Sequence, residues 1–451
     1  MKLKLFRSST VGINIDNFKI LQDPWLTDGE YYGSWSHYPP YDLNFNLEEI
    51  NSYNAIYISH IHPDHCSEDT LKFINKKIPI YIHSYHAKFL KLKIERLGFK
   101  VNELQNGIKY PLAKNLFLNI FAADNCNPEL CYKFTGCAQL GGKNNGSQQI
   151  DTIAIINDSN NTLVNINDCP FELANSTFEE IKTQYKKIDI LLTGYGGAGP
   201  YPQCFENLSL KEKKVAAKKK QIQFLNQAIS YIEELKPAYY LPFAGTYTLA
   251  GKLSSLQDLR GVPTIDEAHN FFDNYFNVHK STVNPKLIKM NYESVFDLNT
   301  KQCSKAYKKI DLDEYFNYIK NNLENKKLMY EEFSLPSFDE IYDLSKSAFV
   351  NFLNKKIINK INLKSDIFIK VNEKSLRLST DNKLQIVNTC DIKKFSKYVT
   401  YQTDLRLLKF LLMGPKYAHW NNAEIGSHIK FYRKPDVFER ELYYSMSYFH
   451  N

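Results

Sequence analysis

Short runs of apolar residues alternate with polar turns through the first 250 residues of the chain. The runs have the length of strands, and they lie at 11–15, 18–21, 55–59, 78–83, 115–123, 152–158, 162–168, 188–194 and 238–245. Segments with apolar residues at helical spacing lie between them, at about 67–75, 85–97, 175–185 and 207–235. Buried strands that alternate with helices in this way predict an α/β sandwich.

The pattern changes after a loop that contains Gly251 and Gly261. Residues from about 304 to 360 are rich in Lys, Glu and Asn at helical spacing, and strand-like runs such as SDIFIKV and a final aromatic segment follow. We therefore predict two domains. The sandwich occupies residues 1–255, and a C-terminal α+β module that shapes a substrate cleft occupies residues 256–451.

The composition limits the class of protein. Hydrophobic residues make up 43% and aromatic residues 14% of the 451 residues, which is enough apolar surface for a folded core and excludes a disordered chain. No apolar run approaches the roughly 20 residues that cross a bilayer, and the first residues lack the apolar core of a signal peptide. We expect a cytoplasmic protein without a membrane partner.

Charge and cysteine spacing exclude further classes. The formal net charge is +8, but the densest basic block, at 211–220, leads directly into a segment with helical spacing. This favours a solvated helix face over a nucleic-acid patch, so we expect no nucleic-acid partner. The eight cysteines form no CxxC pair, which argues against a zinc ribbon, a thioredoxin-like redox motif and a Rieske centre.

A cluster of metal-binding residue types follows the strand at 55–59. Three of the 11 histidines, His60, His62 and His65, lie within six residues, together with Asp64. Imidazoles two positions apart on an extended loop can converge on one metal ion, and the next carboxylate and imidazole can reach a second ion. Placing several imidazoles and a carboxylate close together costs free energy unless a metal ion binds them. The motif therefore predicts a dinuclear metal site.

This HxHxDH motif resembles that of the metallo-β-lactamase superfamily, whose αββα sandwich gathers metal ligands at strand ends. In that superfamily the motif is followed by a third His, a bridging Asp and a late His. Asp168, at the end of the run TLVNIND, matches the bridging Asp. The regions that correspond to the other two histidines, 123–129 and 241–245, contain no His.

Several further segments make the resemblance specific to one family within this superfamily. DPWLTDG, IYISHIHPDH, DCP, GYGGAGPYP and YQTDL occur in the same order as similar segments of the CMP-N-acetylneuraminate hydroxylase family. The chain is also similar to related diiron oxygenases of this fold, in which a Glu replaces the third His and no late His is used. The resemblance implies one iron ion on His60, His62 and Glu129 and another on Asp64, His65 and Asp168. Asn127 and Cys126 are the alternatives to Glu129.

The resemblance implies O₂-dependent hydroxylation or N-oxygenation of a small substrate, such as an N-acyl nucleotide sugar, by two iron ions. The family carries a Rieske domain ahead of the metal fold, and its paired Cys and His ligands have no counterpart here. We therefore expect electrons from a separate ferredoxin and reductase. One alternative is a dinuclear zinc or manganese hydrolase acting on a lactone, phosphodiester or amide. The other is a non-catalytic metal- or sugar-binding protein.

Residues near the metal edge are candidates for substrate contact, namely Trp25, Asn127, Tyr195, Gly196 and Gly197. The run 194–199 matches GxGxxG, but two prolines follow where a phosphate-binding helix would begin, so we expect a tight loop instead. The turn at Asp23 could hold a ligating His in one tautomer, or be a plain turn. For the polar cluster at 419–422 and His428 we favour a structural role over contact with a nucleotide or sugar.

Overall fold

The N-terminal two thirds of the chain contains two large sheets and a separate pair of two-residue strands, Trp35–Ser36 and Thr248–Leu249. The computed structural model describes residues 1–123, 151–279 and 284–451. The strands are β1 Lys2–Arg7, β2 Thr10–Ile15, β3 Phe18–Gln22, β4 Trp35–Ser36, β5 Ala55–Tyr57, β6 Ile80–His83, β7 Val101–Leu104, β8 Tyr110–Ala113, β9 Leu116–Ala122, β10 Thr152–Asn157, β11 Thr162–Asn165, β12 Ile190–Gly194, β13 Tyr239–Phe243, β14 Thr248–Leu249, β15 Lys286–Leu287, β16 Ser294–Asp297 and β17 Gln302–Cys303.

The helices of the same region follow the apolar spacing of the sequence. They are α1 Leu43–Asn51, α2 Glu68–Phe73, α3 Phe89–Arg96, α4 Asn175–Gln184, α5 Leu210–Leu235 and α6 Ile265–Val278. The helix expected at about 207–235 is α5, which begins after a capping box formed by Ser209 and Glu212. Its basic residues lie in its first three turns.

One sheet has the strand order β17-β16-β1-β2-β3-β5-β6-β7 and the other β15-β13-β12-β11-β10-β9-β8. The two sheets pack face to face through apolar side chains such as Ile13 and Ile20 from the first and Ile156 and Leu192 from the second. Helices α1 to α3 cover the outer face of the first sheet. Helices α4 to α6 cover the outer face of the second. The predicted αββα sandwich is therefore confirmed.

Three short strands after residue 255 belong to the two sandwich sheets. Strand β15 pairs with β13, and β16 pairs with β1. Ile288 and Phe296, which are almost fully buried, join the core between the sheets. The sequence after 255 therefore first completes both sandwich sheets, through Cys303, and only then enters the C-terminal module.

The C-terminal module is a five-stranded sheet with helices, and it shares a core with the N-terminal loops. Its strands are β18 Asp366–Val371, β19 Lys374–Leu378, β20 Leu384–Asn388, β21 Tyr398–Gln402 and β22 Lys430–Lys434. Its helices are α7 Leu312–Tyr318, α8 Phe338–Ile358, α9 Leu405–Met413, α10 Trp420–Ile425 and α11 Arg440–Met446. Trp25 and Trp35 from the first 40 residues pack in the same apolar cluster as Val399 and Trp420.

Backbone contacts also attach the module to the sandwich. The Glu206 N–H donates to the Phe431 carbonyl at 2.7 Å, and the Phe431 N–H donates to the Cys204 carbonyl at 2.8 Å. This contact lies just after the glycine-rich loop at 194–199. Among the described residues, no helix combines the length and the apolar character that a membrane crossing needs.

Candidate metal centre

The HxHxDH motif forms the loop that leaves β5, and buried hydrogen bonds fix Ser59, the residue that precedes the motif. The Ser59 N–H donates to Asp23 Oδ1 at 2.7 Å, and the Ser59 hydroxyl donates to Asp23 Oδ2 at 2.8 Å. Asp23 itself is fully buried at the end of β3, next to β5 in the sheet. The carboxylate therefore fixes the loop to the neighbouring strand, and the following side chains face the edge of the sandwich.

Three predicted ligands form a first group at this edge. The ligand atoms of His60, His62 and Asp168 all lie within 4.8 Å of one another. His60 Nε2 lies 2.9 Å from His62 Nδ1 and 3.8 Å from Asp168 Oδ2. His60 is fully buried, whereas the Asp168 side chain is 40% exposed. The group thus has a buried imidazole side and an open carboxylate side.

A second group adjoins the first. The ligand atoms of Asp64, His65 and Asp168 also lie within 4.8 Å of one another. His65 Nε2 is 3.4 Å from Asp168 Oδ1 and 3.6 Å from Asp64 Oδ2. Asp168 belongs to both groups and offers a different oxygen to each. The structure thus brings together all the predicted ligands that it describes, while Glu129, Asn127 and Cys126 lie outside the described residues.

Asp23 also holds His65. Its Oδ2 lies 2.9 Å from His65 Nδ1, so Nδ1–H donates to the carboxylate and Nε2 is left to face the second group. Burial alone would lower the pKa of His65, but the carboxylates of Asp168, Asp64 and Asp23 together hold it well above its usual value. Of the two interpretations of the Asp23 turn, the structure supports the one in which it orients a ligand.

Asp151 is a candidate ligand that the sequence reasoning missed. Its Oδ1 lies 3.9 Å from His60 Nε2, and its side chain is only 8% exposed. Burial, together with the negative charge of Asp168, raises the pKa of Asp151 well above its usual value. A signal was present, because Asp151 directly precedes β10 and Asp168 follows β11. The two ends of an antiparallel hairpin lie at the same edge of a sheet.

The C-terminal module reaches the same site. His62 Nε2 lies 3.3 Å from Asn421 Oδ1, at the start of α10. His428 Nε2 donates to the Tyr31 carbonyl at 2.7 Å, and the Tyr31 hydroxyl donates to Asp64 Oδ1 at 2.5 Å. Residues 419–428 therefore contact the first group directly, through His62, and are connected to the second group through Tyr31.

The described residues predicted to contact substrate lie mainly in packed positions. Trp25 has no exposed surface, and its indole N–H donates to the Thr27 carbonyl at 2.9 Å. Tyr195 is 2% exposed. A methyl group on Gly196 would overlap the Gly245 carbonyl, and one on Gly197 would overlap the Phe224 ring. Packing thus explains both glycines, and Trp25 stabilises the core instead of lining an opening.

The comparison with family models gives no match. Among curated proteins, the cytidine monophosphate-N-acetylneuraminic acid hydroxylase of Xenopus laevis is 26% identical over 246 residues, which is 52% of this chain and 36% of that protein. The hydroxylase of Asterias rubens is 22% identical over 393 residues, which is 82% of this chain and 53% of that protein. The chain thus spans about a third to a half of the length of these relatives.

Solved structures with a similar chain trace include hydrolases and an oxygenase. An isothiocyanate hydrolase from Delia radicum gut bacteria matches with a TM-score of 0.44 and 15% identity, over 66% of this chain and 98% of that one. CmlA, a diiron β-hydroxylase from Streptomyces venezuelae, matches with a TM-score of 0.40 and 13% identity. The match covers 64% of this chain and 52% of that one. The chain has a metallo-β-lactamase-like fold and resembles, at low identity, the CMP-N-acetylneuraminic acid hydroxylases.

Proposed function

We propose that this chain is a non-haem diiron oxygenase that hydroxylates or N-oxygenates a small molecule. The observation that carries the proposal is the position of Asp168, whose Oδ2 lies 3.8 Å from His60 Nε2 and whose Oδ1 lies 3.4 Å from His65 Nε2. A carboxylate in this position can bridge two metal ions. The first group, with two histidines and one carboxylate, has the donor set that non-haem Fe(II) oxygenases use.

The proposed ligands divide into two sets that share Asp168. His60, His62 and Asp168 hold the first ion, and Asp64, His65 and Asp168 hold the second. We propose Asp151 as a further ligand of the first ion, because its carboxylate is buried beside His60. A buried carboxylate without a cation is costly, so this position favours a metal partner. Glu129 is the competing proposal from the sequence.

Iron ions held there would supply the reduction of O₂ and the insertion of oxygen into a C–H or N–H bond. The residues of the chain orient the ligands. Asp23 Oδ2 accepts the hydrogen bond from His65 Nδ1–H, so the lone pair of Nε2 would be directed to the second ion. The Tyr31 hydroxyl donates a hydrogen bond to Asp64 Oδ1, so Asp64 Oδ2 lies on the side of His65. The exposed side of Asp168 is the direction from which a substrate can approach.

The substrate class and the electron source are further parts of this proposal. The similarity to the hydroxylases supports an N-acyl nucleotide sugar as the substrate. We propose that electrons arrive from a separate ferredoxin and its reductase, since this sequence does not contain the paired Cys and His ligands of a Rieske centre. The formal net charge of +8 would favour association with acidic electron carriers.

The test begins with metal analysis of protein purified from iron-supplemented cells. We expect about two iron ions per chain, as two ligand groups imply. The anaerobically reduced protein should then consume O₂, and turnover of CMP-N-acetylneuraminic acid should require O₂, ferredoxin and reductase. Protein that binds iron but consumes no O₂ would contradict the oxygenase proposal and favour a metal- or sugar-binding protein.

A dinuclear zinc or manganese hydrolase is the second candidate. The open side of Asp168 favours it, because a metal-bound water at this edge would be accessible to substrate. Zinc accepts both imidazole and carboxylate ligands and lowers the pKa of bound water to about 7. This candidate predicts an active zinc form that is indifferent to O₂ and to reductant. Full hydrolytic activity of the zinc form under argon would therefore contradict the oxygenase proposal and support the hydrolase.

A further inference from the structure

We propose that Asn421 is a positioning residue through which the C-terminal module holds His62 in its metal-binding orientation. The inference rests on the metal centre that we propose for the sandwich, but not on the reaction that occurs there. It concerns a contact between two residues that lie 359 positions apart in the sequence.

The two ring nitrogens of His62 face different partners. Nδ1 lies 2.9 Å from His60 Nε2, inside the first ligand group, and Nε2 lies 3.3 Å from Asn421 Oδ1. A neutral imidazole has one N–H donor and one nitrogen lone pair. If Nε2–H donates to the amide oxygen, the lone pair is on Nδ1 and points to the ion. Asn421 thus fixes both the tautomer and the rotation of the ring.

Asn421 is itself held in place. Its backbone N–H donates to His419 Nδ1 at 3.3 Å in the first turn of α10. The His419 N–H donates to the Tyr32 hydroxyl at 2.7 Å. Trp420 is almost fully buried, and its indole N–H donates to the Phe449 carbonyl at 2.9 Å. The amide oxygen is therefore presented from a fixed backbone, which a positioning residue requires.

The same segment reaches the second ligand group through another route. His428 donates to the Tyr31 carbonyl, and the Tyr31 hydroxyl donates to Asp64. One segment of the C-terminal module, residues 419–428, thus supports a ligand of each ion. The contact of Asn421 is the direct one, because no residue lies between its amide and His62. We therefore expect the first ion to depend on Asn421 and the second to depend on it less.

The experiment measures Zn²⁺ binding by competition with a chromophoric chelator, since zinc needs neither O₂ nor a reductant. Loss of a residue that orients a metal ligand costs about 10–100-fold in metal affinity. We expect Asn421→Ala to weaken one of the two zinc sites by this factor. Asn421→Asp keeps the acceptor oxygen and should bind zinc at least as tightly as the parent protein.

Two controls separate positioning from general damage to the fold. Asn274→Ala, at an exposed position of α6, should leave both zinc affinities unchanged. In a His62→Ala background, Asn421→Ala should have no further effect, because the residue acts through His62. Unchanged zinc affinity in Asn421→Ala, or equal losses in the Asp and Ala variants, would overturn the inference. Tight zinc binding without O₂ consumption would leave it intact and contradict only the oxygenase proposal.

Discussion

Tyr31 and Asp64 are joined by a hydrogen bond of 2.5 Å in which the phenol donates to Oδ1 of the carboxylate. Tyr31 is 3% exposed, and burial together with the charge of Asp64 raises the pKa of its hydroxyl well above the usual value. The phenol therefore stays protonated and remains a donor across the pH range in which proteins are handled. It restricts Asp64 to one orientation, with Oδ2 on the side of His65.

Replacement of Tyr31 tests this restriction. Tyr31→Phe removes the donor and keeps the ring, so the second metal site should lose about 10-fold or more in affinity, while the first site changes less. Zinc titration against a chelator measures both. Tyr417→Phe, at a position that is 45% exposed, is the matched control and should behave like the parent protein. Equal weakening of both sites would mean that Tyr31 acts on the fold and not on Asp64.

Asp168 should be required for both ions, because it is common to both ligand groups. Asp168→Ala is expected to leave less than one tightly bound metal ion per chain. His60→Ala should instead remove one ion of the two, since His60 belongs to the first group only. Metal analysis after gel filtration distinguishes these results. If Asp168→Ala retained one full equivalent, the carboxylate would serve a single ion.

Asp151 and Glu129 are alternative proposals for a further ligand of the first ion. If Asp151 is the ligand, Asp151→Ala should lose one equivalent of metal and Glu129→Ala should keep both. Asp151 lies 3.9 Å from His60 and is buried, which is the reason for this ranking. Each variant is assayed for iron and for zinc, at equal protein concentration. The reverse ranking would assign the ligand to Glu129, as the resemblance to the diiron oxygenases implies.

Glu424 on α10 should make the stability of the protein depend on pH. Burial raises the pKa of its carboxyl from 4.5 to about 8. The folded state therefore binds more protons than the unfolded state between these values, and the stability that this group contributes is lost as the pH rises from 4.5 to 8. Glu424→Gln stays neutral, so it should be more stable than the parent by about 1–3 kcal/mol at pH 8.

The check on Glu424 is urea unfolding at several pH values. At pH 5 the parent carboxyl is mostly protonated in the folded state, so the two proteins should unfold at similar urea concentrations. Their midpoints should separate towards pH 8. Parallel curves across this range would mean that Glu424 keeps an ordinary pKa in the folded protein.

Gly197 tests the packing explanation of the glycine-rich loop. A methyl group at this position would overlap the Phe224 ring of α5. Gly197→Ala should therefore cost about 1–3 kcal/mol of unfolding free energy. In a Phe224→Ala background the same substitution should cost little, since the ring that it meets is gone. A cost that persists in this background would indicate that the backbone of the loop, and not the ring, requires glycine.

Local pattern was sufficient to predict most of the sandwich. Apolar runs identified the strands because each buried strand carries its own signal, and the apolar spacing of 207–235 identified α5. The HxHxDH motif placed His60 and His65 close together because a six-residue loop confines them. Asp168 was identified by the resemblance to the metallo-β-lactamase superfamily, as the match to its bridging Asp. The strands, α5 and the histidine motif, in contrast, are relationships over short distances in the sequence.

The contacts that sequence reasoning missed depend on packing between distant segments. Asn421 reaches His62 only because α10 packs against the N-terminal loops, and neither residue carries a signal for the other. Strands β15 and β16 were not predicted for a similar reason, since they are short and pair with strands more than 40 residues away. Asp151 is different, because the two strands of the hairpin that places it were predicted and only its chemistry was overlooked.

The apolar cluster that contains Trp25, Trp35 and Trp420 couples the unfolding of the N-terminal loops to that of the C-terminal module. Trp35 packs against Trp25 and Tyr31, and the same cluster contains residues of the C-terminal module. Denaturation should therefore proceed as a single cooperative transition in which the C-terminal sheet and the metal centre are lost together. The metal centre should therefore reach its full affinity only once residues 419–428 have folded against the N-terminal loops.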